Sequence, residues 1–492
     1  MELNAVKETV PAVPPATDVL IVGAGPTGLV LAIDLARRGI TALLVEKSDR
    51  LFPGSRGKGI QPRTLEVLDD LGLVGAVQRA GRDYPRMLSW EGQDGTVRGR
   101  EWDMVERSEP TEQEPYANAL LIGQSRFQDV LHAHLRGLGG EVAFGCEVSG
   151  IAQDPEGVTA TFTDGRTVRA RHVVAADGGR SAIRRALGIT MEGESVDPRP
   201  LLVADVLLTP DVIIDDRNWH VWQGRGDGGA VLCPLPGEPG LFQLIVRFDE
   251  EHAVPDTSHA GVVDRLTSLT PITDDQITKV LWASDFRPRA ALATRYRDGR
   301  VFLAGDAAHI HSPAGAQGLN TSVQDAYNLG WKLAQVLRHG APAALLDTYE
   351  DERRPIAAGV LGMSTRLHRH RILGERSPAQ GETRQLDLGY HGGPLARGRA
   401  GALEAGMRAP DGPLPDGRIF DLLRGPHFTL LAFATAAPAI ACEQVRVHEL
   451  GAYDAYGRGL FLVRPDGYIG WAGENTTGLD DYLTALGVRQ QH

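Results

Sequence analysis

The feature that most constrains the fold of this sequence is a glycine-rich string placed between a short apolar run and a helical pattern. Gly23, Gly25 and Gly28 follow the apolar, largely β-branched residues 19–22, and residues 29–38 then place apolar side chains at helical spacing. A glycine closes this helix, and a second short apolar run follows it. The order predicts a strand, a helix and a strand, and therefore a parallel sheet with the glycines at the carboxyl end of its first strand.

The same string predicts a dinucleotide site. Glycines at these positions let backbone N–H groups approach a pyrophosphate closely, and the N-terminus of the helix adds positive potential. Glu46 ends the second strand, where a carboxylate can accept the hydroxyl protons of an adenosine ribose, and Lys47 stands next to it. We therefore expect the site to include the three glycines, Glu46 and Lys47. The string does not distinguish FAD from NAD, and a glycine-rich turn without a ligand is the simpler alternative.

A second cluster favours a flavin. The apolar run 301–304 leads to Asp306, whose carboxylate can bind a ribityl hydroxyl. A loop of small residues then leads into a long helix, so that backbone amides can touch a flat ring and the helix N-terminus can stabilise the anion of reduced flavin. The loop residues expected to bind the cofactor are Pro313, Gly315, Gly318, Leu319 and Asn320. A capped loop without a ligand is the alternative.

A third glycine-rich turn, residues 175–181, follows another apolar run and contains Asp177. These three pieces, in this order, resemble the group A flavoprotein monooxygenases, which are aromatic hydroxylases such as p-hydroxybenzoate hydroxylase and phenol hydroxylase. The resemblance covers essentially the whole chain. It implies that the first motif binds the ADP part of FAD, that Asp177 lies near both FAD and a transient NADPH, and that Asp306 holds the ribityl chain.

Two further positions match this family. Arg56, in residues 55–60, resembles the arginine near the FAD pyrophosphate and the flavin edge. Gln124 resembles the glutamine that contacts the FAD chain, and Arg126 is expected to assist it, with a surface helix residue as the alternative. The resemblance implies tight, non-covalent binding of FAD.

The resemblance also implies a fold class. We expect an α/β protein with a Rossmann-like FAD-binding domain of the p-hydroxybenzoate hydroxylase type, an antiparallel-sheet substrate domain and a small C-terminal thioredoxin-like domain. Residues 346–355 and 463–468 resemble the larger branch of the family, which includes hydroxylases of aromatic polyketides. The expected divisions are a flexible N-terminal arm (1–16), a discontinuous FAD-binding domain (17–185 and 286–375), substrate-binding sheet segments (80–120 and 186–285), and a linker with the thioredoxin-like domain (376–492). Without a CxxC pair, thiol redox catalysis by the last domain is excluded.

The chemistry implied by the resemblance is aromatic hydroxylation. NADPH or NADH binds transiently and reduces FAD, O₂ gives a C4a-hydroperoxyflavin, and oxygen is transferred to a phenolic or polycyclic, polyketide-like aromatic substrate. Baeyer–Villiger oxidation or epoxidation by the same peroxyflavin is the alternative within this class. A non-catalytic binding protein on the same fold is the alternative of another class, and an NAD-dependent dehydrogenase leaves the second and third motifs unexplained.

The sequence assigns no catalytic residue that activates the substrate. His220, Tyr84, Tyr296 and Arg289 are candidates by residue type and region, and a structural role is favoured for each. Four aromatic residues are candidates for either a substrate pocket or the core: Trp219, Trp222, Phe242 and Phe286. His309 and His311 lack further ligands in a clear pattern, so no metal site is expected.

Composition excludes several other classes. The chain has 492 residues and a net charge of −12, which argues against a nucleic-acid partner. It contains no run of about 18 apolar residues, so no membrane association is expected. The scattered cysteines, Cys146, Cys233 and Cys442, indicate free thiols and a cytoplasmic location. We expect a monomer or a homo-oligomer, with a dimer as the first oligomer to test, and a role in secondary metabolism fits the resemblance.

Overall fold

The computed structural model describes residues 13–104, 107–223, 228–312, 314–372 and 381–488. The predicted N-terminal arm lies outside the described residues over residues 1–12. The strands in the first part of the chain are β1 (Ala16–Val22), β2 (Ala42–Val45), β3 (Gly59–Ile60), β4 (Arg82–Asp83), β5 (Arg86–Glu91), β6 (Val97–Trp102), β7 (Leu120–Leu121), β8 (Val142–Ala143), β9 (Val148–Asp154), β10 (Gly157–Phe162), β11 (Thr167–Ala175) and β12 (Met191–Ser195).

The strands that follow are β13 (Leu201–Leu208), β14 (Asn218–Trp222), β15 (Gly229–Pro234), β16 (Leu241–Arg247), β17 (Ile277–Phe286), β18 (Arg289–Ala293), β19 (Arg297–Asp298), β20 (Val301–Leu303), β21 (His309–Ile310), β22 (Arg399–Ala400), β23 (Leu403–Glu404), β24 (Pro413–Leu414), β25 (Gly417–Arg418), β26 (Phe428–Phe433), β27 (Val445–Leu450), β28 (Gly459–Val463) and β29 (Ile469–Gly473). The helices are α1 (Pro26–Arg37), α2 (Pro62–Asp70), α3 (Val74–Ala80), α4 (Gln124–Gly137), α5 (Ala182–Ala186), α6 (His259–Leu269), α7 (Gln317–Arg338), α8 (Thr348–Ile372), α9 (Ile419–Leu423) and α10 (Leu479–Ala485).

The first sheet has the strand order β19-β20-β11-β1-β2-β8. Strands β20, β11, β1, β2 and β8 run parallel, so their carboxyl ends lie along one edge. Ile21 of β1 is paired with Leu44 on one side and Val174 on the other, and all three are fully or almost fully buried. Strands covered on both faces are apolar throughout, which explains the continuous apolar runs in the sequence.

Helix α7 is buried along most of its 22 residues. Val323, Ala326 and Leu329 pack into the core of the first sheet, whereas Trp331 packs against the core of the C-terminal region. Most of the other buried positions of the helix are polar, and buried polar side chains must be paired to be tolerated. Helix α7 therefore joins two cores through a network of hydrogen bonds and ion pairs.

The second sheet has the order β17-β13-β16-β15-β14-β5-β6. Its neighbouring strands are antiparallel except for β14 and β5, which run parallel. One face is apolar and is covered by Val262, Leu266 and Leu269 of α6. The other face turns towards the carboxyl edge of the first sheet, because Arg56 of the first region donates a hydrogen bond to Ser284 of β17 at 3.2 Å.

The third sheet has the order β27-β26-β28-β29, with β26 and β27 parallel and the other pairs antiparallel. This order and the following α10 match the expected thioredoxin-like sheet, and the expected fold class is confirmed. Residues 434–444, which connect the two parallel strands, contain no helix. The turn at residues 464–467 is deeply buried, because Arg464 bonds to Glu352 of α8 at 2.6 Å. No helix in the described part of the chain is both long and apolar enough to cross a bilayer.

Candidate cofactor and substrate site

Four of the predicted binding residues follow four neighbouring parallel strands. Gly23 directly follows β1 and Glu46 directly follows β2, whereas Asp177 lies two residues after β11 and Asp306 three residues after β20. Because these strands are adjacent and parallel, the four residues lie along one edge of the first sheet. A Cβ atom on Gly23 would clash with the carbonyl oxygen of Ala176 and would lie 3.1 Å from the Cα of Asp177, so these two turns are in contact.

The three glycines of the first motif have different roles. Gly23 has a φ of +107°, and a Cβ on Gly28 would clash with the Gly23 carbonyl oxygen, so the chain's own packing requires both. Gly25, the N-cap of α1, has no described atom within 4 Å of its Cβ position. Open space at an N-terminus whose cap supplies no side-chain hydrogen bond fits a phosphate group.

Glu46 is held beside this turn by backbone amides. Its carboxylate accepts hydrogen bonds from the nitrogen of Ala24 at 3.0 Å and from the nitrogen of Ser48 at 3.1 Å. These bonds fix the carboxylate at the end of β2, and the side chain keeps partial exposure. Lys47 is exposed next to it.

Asp306 and Arg56 lie close to each other where the first region meets the second sheet. Both side chains are accessible to solvent, yet the surrounding protein raises the pKa of Asp306 by burial and lowers that of Arg56 by burial. Each also feels the opposite charge of the other. Accessible groups that are nonetheless surrounded by protein line a cleft. The Arg56 guanidinium lies over the rings of Phe52, at 5.2 Å, and Trp282, at 5.8 Å.

The loop before α7 has an unusual backbone. Gly315 and Ala316 both have positive φ, of +77° and +55°, and α7 begins directly after them with no side-chain cap. Asn320 holds the loop in place, because its Oδ1 accepts from the Gln61 nitrogen at 2.8 Å and its Nδ2 donates to the Gly59 oxygen at 2.8 Å. The first amides of α7 thus remain available to a ligand. Pro313 lies outside the described residues.

Gln124 contacts this loop region, and Arg126 points elsewhere. Gln124 Oε1 accepts from the Gly57 nitrogen at 3.2 Å, and Leu319 Cδ1 lies 2.9 Å from the Cβ position of Gly57. Arg126 instead donates through Nε to the Ala80 oxygen at 2.8 Å, and its Nη1 lies 3.5 Å from the Cβ position of Gly237. The structure therefore brings Gln124 and Leu319 together and places Arg126 beside a loop of the second sheet.

Asp177 and Gly318 have neighbours within the protein. Asp177 Oδ2 accepts from the Ala182 nitrogen at 2.8 Å and so caps α5. Its Oδ1 is buried and has no hydrogen-bond partner within the described residues. Gly318 lies against His311, whose Cβ is 3.5 Å from the glycine's Cβ position.

A buried ionic cluster that no sequence motif predicted lies beneath Asp306. Asp325 of α7 accepts from His309 Nε2 at 2.5 Å and from Arg353 Nε at 2.8 Å. It also accepts from the Gly305 nitrogen at 3.1 Å. Although burial raises it, the positive charges of His309 and Arg353 hold the pKa of Asp325 below its usual value. Only the position of charged residues among apolar ones in two predicted helices could have indicated this cluster.

The two histidines contact each other, and one of them belongs to the buried cluster. His309 is committed to Asp325, and His309 Nδ1 lies 3.3 Å from His311 Nδ1. Within the described residues, no group of three His, Cys, Asp or Glu side chains could hold a metal ion.

The second sheet presents one continuous row of side chains towards the first region. Cross-strand pairing places the row in the order Trp282, Asp205, Gln243, Cys233, Trp219 and Met87. Lys58 bonds to Gln243 and lies 4.7 Å from the Trp219 ring, and Gln243 in turn bonds to the Ser55 oxygen. We call this surface the cleft face. It combines aromatic rings with a buried acid and amide.

Asp205 is the buried carboxylate of the cleft face. Its side chain is almost completely buried, and its Oδ1 has no hydrogen-bond partner within the described residues. Burial raises the pKa of Asp205 to about 6, although Ser55 and Lys58 oppose the shift.

Most candidates for a substrate-activating residue or an aromatic pocket do not lie on the cleft face. His220 lies on the opposite face of the second sheet, fully buried, where Nδ1 accepts from Trp90 at 3.0 Å and Nε2 donates to the Asp215 oxygen at 2.7 Å. Both ring nitrogens are therefore used, and the ring is neutral. Trp222 and Phe242 share that face and belong to the core, whereas Trp219 lies on the cleft face beside Tyr84, with ring centroids 5.8 Å apart.

Tyr296 and Arg289 are not on the cleft face, whereas Phe286 lies on the same face of its strand as Trp282. Tyr296 is fully buried beside Tyr349 in the core of the first sheet. Arg289 is exposed on β18, and Phe286 is half-buried at the end of β17.

Comparison with known proteins identifies relatives over nearly the whole chain. Residues 16–364 match a family model described as an FAD binding domain, and residues 403–487 match an aromatic-ring hydroxylase C-terminal model. The chain is 42% identical over 480 residues to a flavin-dependent monooxygenase of Mycobacteroides abscessus, covering 95% of this chain and 99% of the relative. It is 32% identical over 492 residues to a rifampicin monooxygenase of Rhodococcus hoagii, covering 95% and 98%.

Solved structures give the same result. The anhydrotetracycline hydroxylase OxyS from Streptomyces rimosus matches with a TM-score of 0.77 and 31% identity, over 97% of this chain and all of the other. Aklavinone-11 hydroxylase, solved as a ternary complex with FAD and aklavinone, matches with a TM-score of 0.79 and 27% identity, over 96% of this chain and 98% of the other.

Proposed function

This chain belongs to the family of FAD-dependent aromatic-ring hydroxylases and is a flavin-dependent monooxygenase, and on that basis we propose that it consumes NADPH or NADH and O₂ to hydroxylate a phenolic or polycyclic aromatic substrate. One structural observation supports the proposal in addition to the family membership. Asp306 and Arg56 line a cleft that is bounded on its other side by the aromatic and acidic cleft face. We therefore propose that the cofactor and a flat substrate share the space between them.

We propose that the residues of the carboxyl edge hold FAD. The open space at Gly25 and the N-terminus of α1 receive the pyrophosphate, Glu46 receives the adenosine ribose, and Asp306 receives the ribityl chain. The uncapped first turn of α7 faces the ring system, with its helix dipole favouring negative charge there. When bound, FAD supplies the activation of O₂ with electrons from the nicotinamide.

The cleft face provides the substrate side of the proposed site. Trp219 and Met87 offer apolar contact to an aromatic ring, and Gln243 offers a hydrogen-bonding amide next to them. Asp205 is the cleft-face group whose pKa allows it to exchange a proton near neutral pH, so we propose it as the group that influences ionisation of a phenolic hydroxyl.

The relatives suggest the size of the substrate. Their names identify anhydrotetracycline, aklavinone and rifampicin as compounds that those proteins act on or bind. We propose a substrate of this polycyclic, polyketide-like kind, and a role in secondary metabolism accordingly. Baeyer–Villiger oxidation and epoxidation stay as alternatives that the product would distinguish.

The test is a visible spectrum of the purified protein followed by oxygenation assays. NADPH and NADH oxidation under air would be measured with anhydrotetracycline, aklavinone, rifampicin and a simple phenol, and products would be identified by mass and by nuclear magnetic resonance. We expect flavin absorption and a hydroxylated product from at least one polycyclic compound. A ring-expanded or epoxidised product would replace hydroxylation, and a protein that cannot be reconstituted with FAD would reject the proposed site.

The Asp306→Ala variant tests whether FAD binds at the proposed location. We expect the apoprotein of this variant to bind FAD at least tenfold more weakly than the unaltered protein, because the ribityl hydroxyl loses its acceptor. Unchanged FAD affinity would place the cofactor elsewhere.

A further inference from the structure

The C-terminal region reaches back into the proposed flavin site through a short segment, residues 383–390, which we call the clamp segment. It follows α8 in the chain and precedes the third sheet. Gln385 of this segment is buried and has a φ of +61°, one of three non-glycine residues with positive φ in the described residues. A left-handed backbone at a residue other than glycine is kept only where the surrounding contacts hold it.

Those contacts are made with the first turns of α7. Gln385 Nε2 donates to Gln317 Oε1 at 2.7 Å and lies 3.3 Å from Thr321 Oγ1. Gln385 Oε1 accepts from Gln324 Nε2 at 2.6 Å. The side chain of Gln385 is thus bonded to three successive turns of the helix.

Gln317 links the clamp segment to the loop before α7. Its Nε2 donates to the Gly315 oxygen at 2.7 Å and to the Thr383 oxygen of the clamp segment at 3.1 Å. Gly315 and Ala316 have the left-handed backbone that leaves the start of α7 uncapped. The clamp segment therefore fixes the residues that present the helix N-terminus.

A second, separate contact leads to the turn that contains Asp306. Tyr390 Oη accepts from Arg353 Nη1 at 3.1 Å. Arg353 bonds to Asp325, and Asp325 accepts from the Gly305 nitrogen. Both turns proposed to hold the flavin are thus linked to residues 383–390.

We propose that the clamp segment is part of the FAD site and that Gln385 is a positioning residue, which holds the loop before α7 through Gln317 and thereby sets the affinity for FAD. This inference rests on the proposed location of FAD. It gives the C-terminal region a role in cofactor binding beyond packing. Because linkage is reciprocal, FAD binding also strengthens the attachment of the clamp segment.

The first experiment compares FAD affinity in reconstituted apoproteins. Gln385→Met keeps the size of the side chain and removes its hydrogen bonds, whereas Gln385→Gly suits the positive φ and protects the experiment against a folding failure. We expect both variants to bind FAD at least tenfold more weakly and to shift the visible spectrum of the bound flavin. The unfolding temperature of the apoprotein serves as the measure of a purely structural effect.

Arg424→Ala is the matched control. Arg424 also joins the C-terminal region to the first region, since its Nη2 bonds to Asp69 of α2 at 2.7 Å, but this contact is remote in the chain from the loop before α7. We expect this variant to keep the FAD affinity and the flavin spectrum of the unaltered protein.

A double variant tests the route through Gln317. If Gln385 acts through Gln317, the variant Gln317→Met and the double variant Gln317→Met/Gln385→Met will have the same FAD affinity. The reason is that Gln317→Met already breaks the link between Gln385 and the loop. Additive effects would overturn this route. If Gln385→Met and Gln385→Gly bind FAD within twofold of the unaltered protein while Asp306→Ala loses it, the inference fails and the proposed function stands. If Asp306→Ala also keeps its affinity, the proposed cofactor location fails.

Discussion

The Gly305 backbone nitrogen donates a hydrogen bond of 3.1 Å to Asp325, and this contact joins the middle of α7 to the turn that presents Asp306. The same carboxylate is bonded to His309 and Arg353, and all three side chains are fully buried. A buried charge is stable only when it is paired and hydrogen-bonded. The cluster therefore makes the position of the turn depend on the ionic balance beneath it.

We predict that Asp325→Asn strongly destabilises the protein. The amide keeps the shape of the side chain but leaves Arg353 without its buried counter-charge, which costs about 3–5 kcal/mol. Thermal unfolding would measure the change, with Glu382→Gln as the control, because the exposed pair of Glu382 and Arg366 contributes at most about 1 kcal/mol. Equal unfolding temperatures for the two variants would contradict a stabilising role for the cluster.

The glycines of the first motif give a matched pair of variants. We predict that Gly25→Ala lowers the affinity for FAD at least tenfold and leaves the apoprotein stable, because the new methyl group enters space that no described atom occupies. Gly28→Ala should destabilise the apoprotein by about 1–3 kcal/mol, because its methyl group would meet the Gly23 carbonyl. Titration with FAD and thermal unfolding of the apoproteins separate the two effects. Full FAD affinity in Gly25→Ala would mean that the space is not used by the cofactor.

We predict that Asp205 lowers stability as the pH rises from about 4 to about 6. Its pKa of about 6 in the folded protein exceeds its usual value of 3.8, so the folded state holds the proton more tightly than the unfolded state in this window. The shift in pKa lowers the free energy of unfolding by about 3 kcal/mol at neutral pH. Asp205→Asn should therefore become increasingly more stable than the unaltered protein up to pH 6, with a constant difference above it. A difference in unfolding temperature that is independent of pH would refute the assignment.

Arg56 and Arg126 were both expected near FAD, and the structure separates them. We predict that Arg56→Ala weakens FAD binding about tenfold or more, as expected for loss of a charged hydrogen-bond donor. Arg126→Ala should have little effect, because its guanidinium bonds to Ala80. Fluorescence titration of the two apoproteins with FAD compares their affinities directly. Equal losses of FAD affinity would mean that Arg126 also contributes to the FAD site.

Patterns local in sequence predicted the fold well. The run before Gly23 is a strand, and the helix after it begins at Pro26 rather than at residue 29, because proline is favoured in the first turn of a helix. The alternation of side chains along β14 was also informative. It places Trp219 on one face of the sheet and His220 and Trp222 on the other.

Contacts between distant parts of the chain could not be predicted from these patterns. Gln385 bonds to Gln317 across 68 positions, and Asn320 bonds to the Gln61 nitrogen across 259. Neither residue belongs to a periodic pattern, and a glutamine in a glycine-rich linker is typical of an exposed loop. The role of such residues depends on packing that only the folded chain provides.

The strand order of the first sheet has a consequence for protein synthesis. Strands β1 and β2 leave the ribosome together, but β1 needs β11 on its other side, and β11 in turn needs β20, which begins at Val301. At about 5–20 residues per second, the interval between β2 and β20 is on the order of ten to fifty seconds. During that time the apolar edge of the nascent sheet is unprotected, so this protein is expected to need a chaperone more than a protein whose sheet is assembled from consecutive strands.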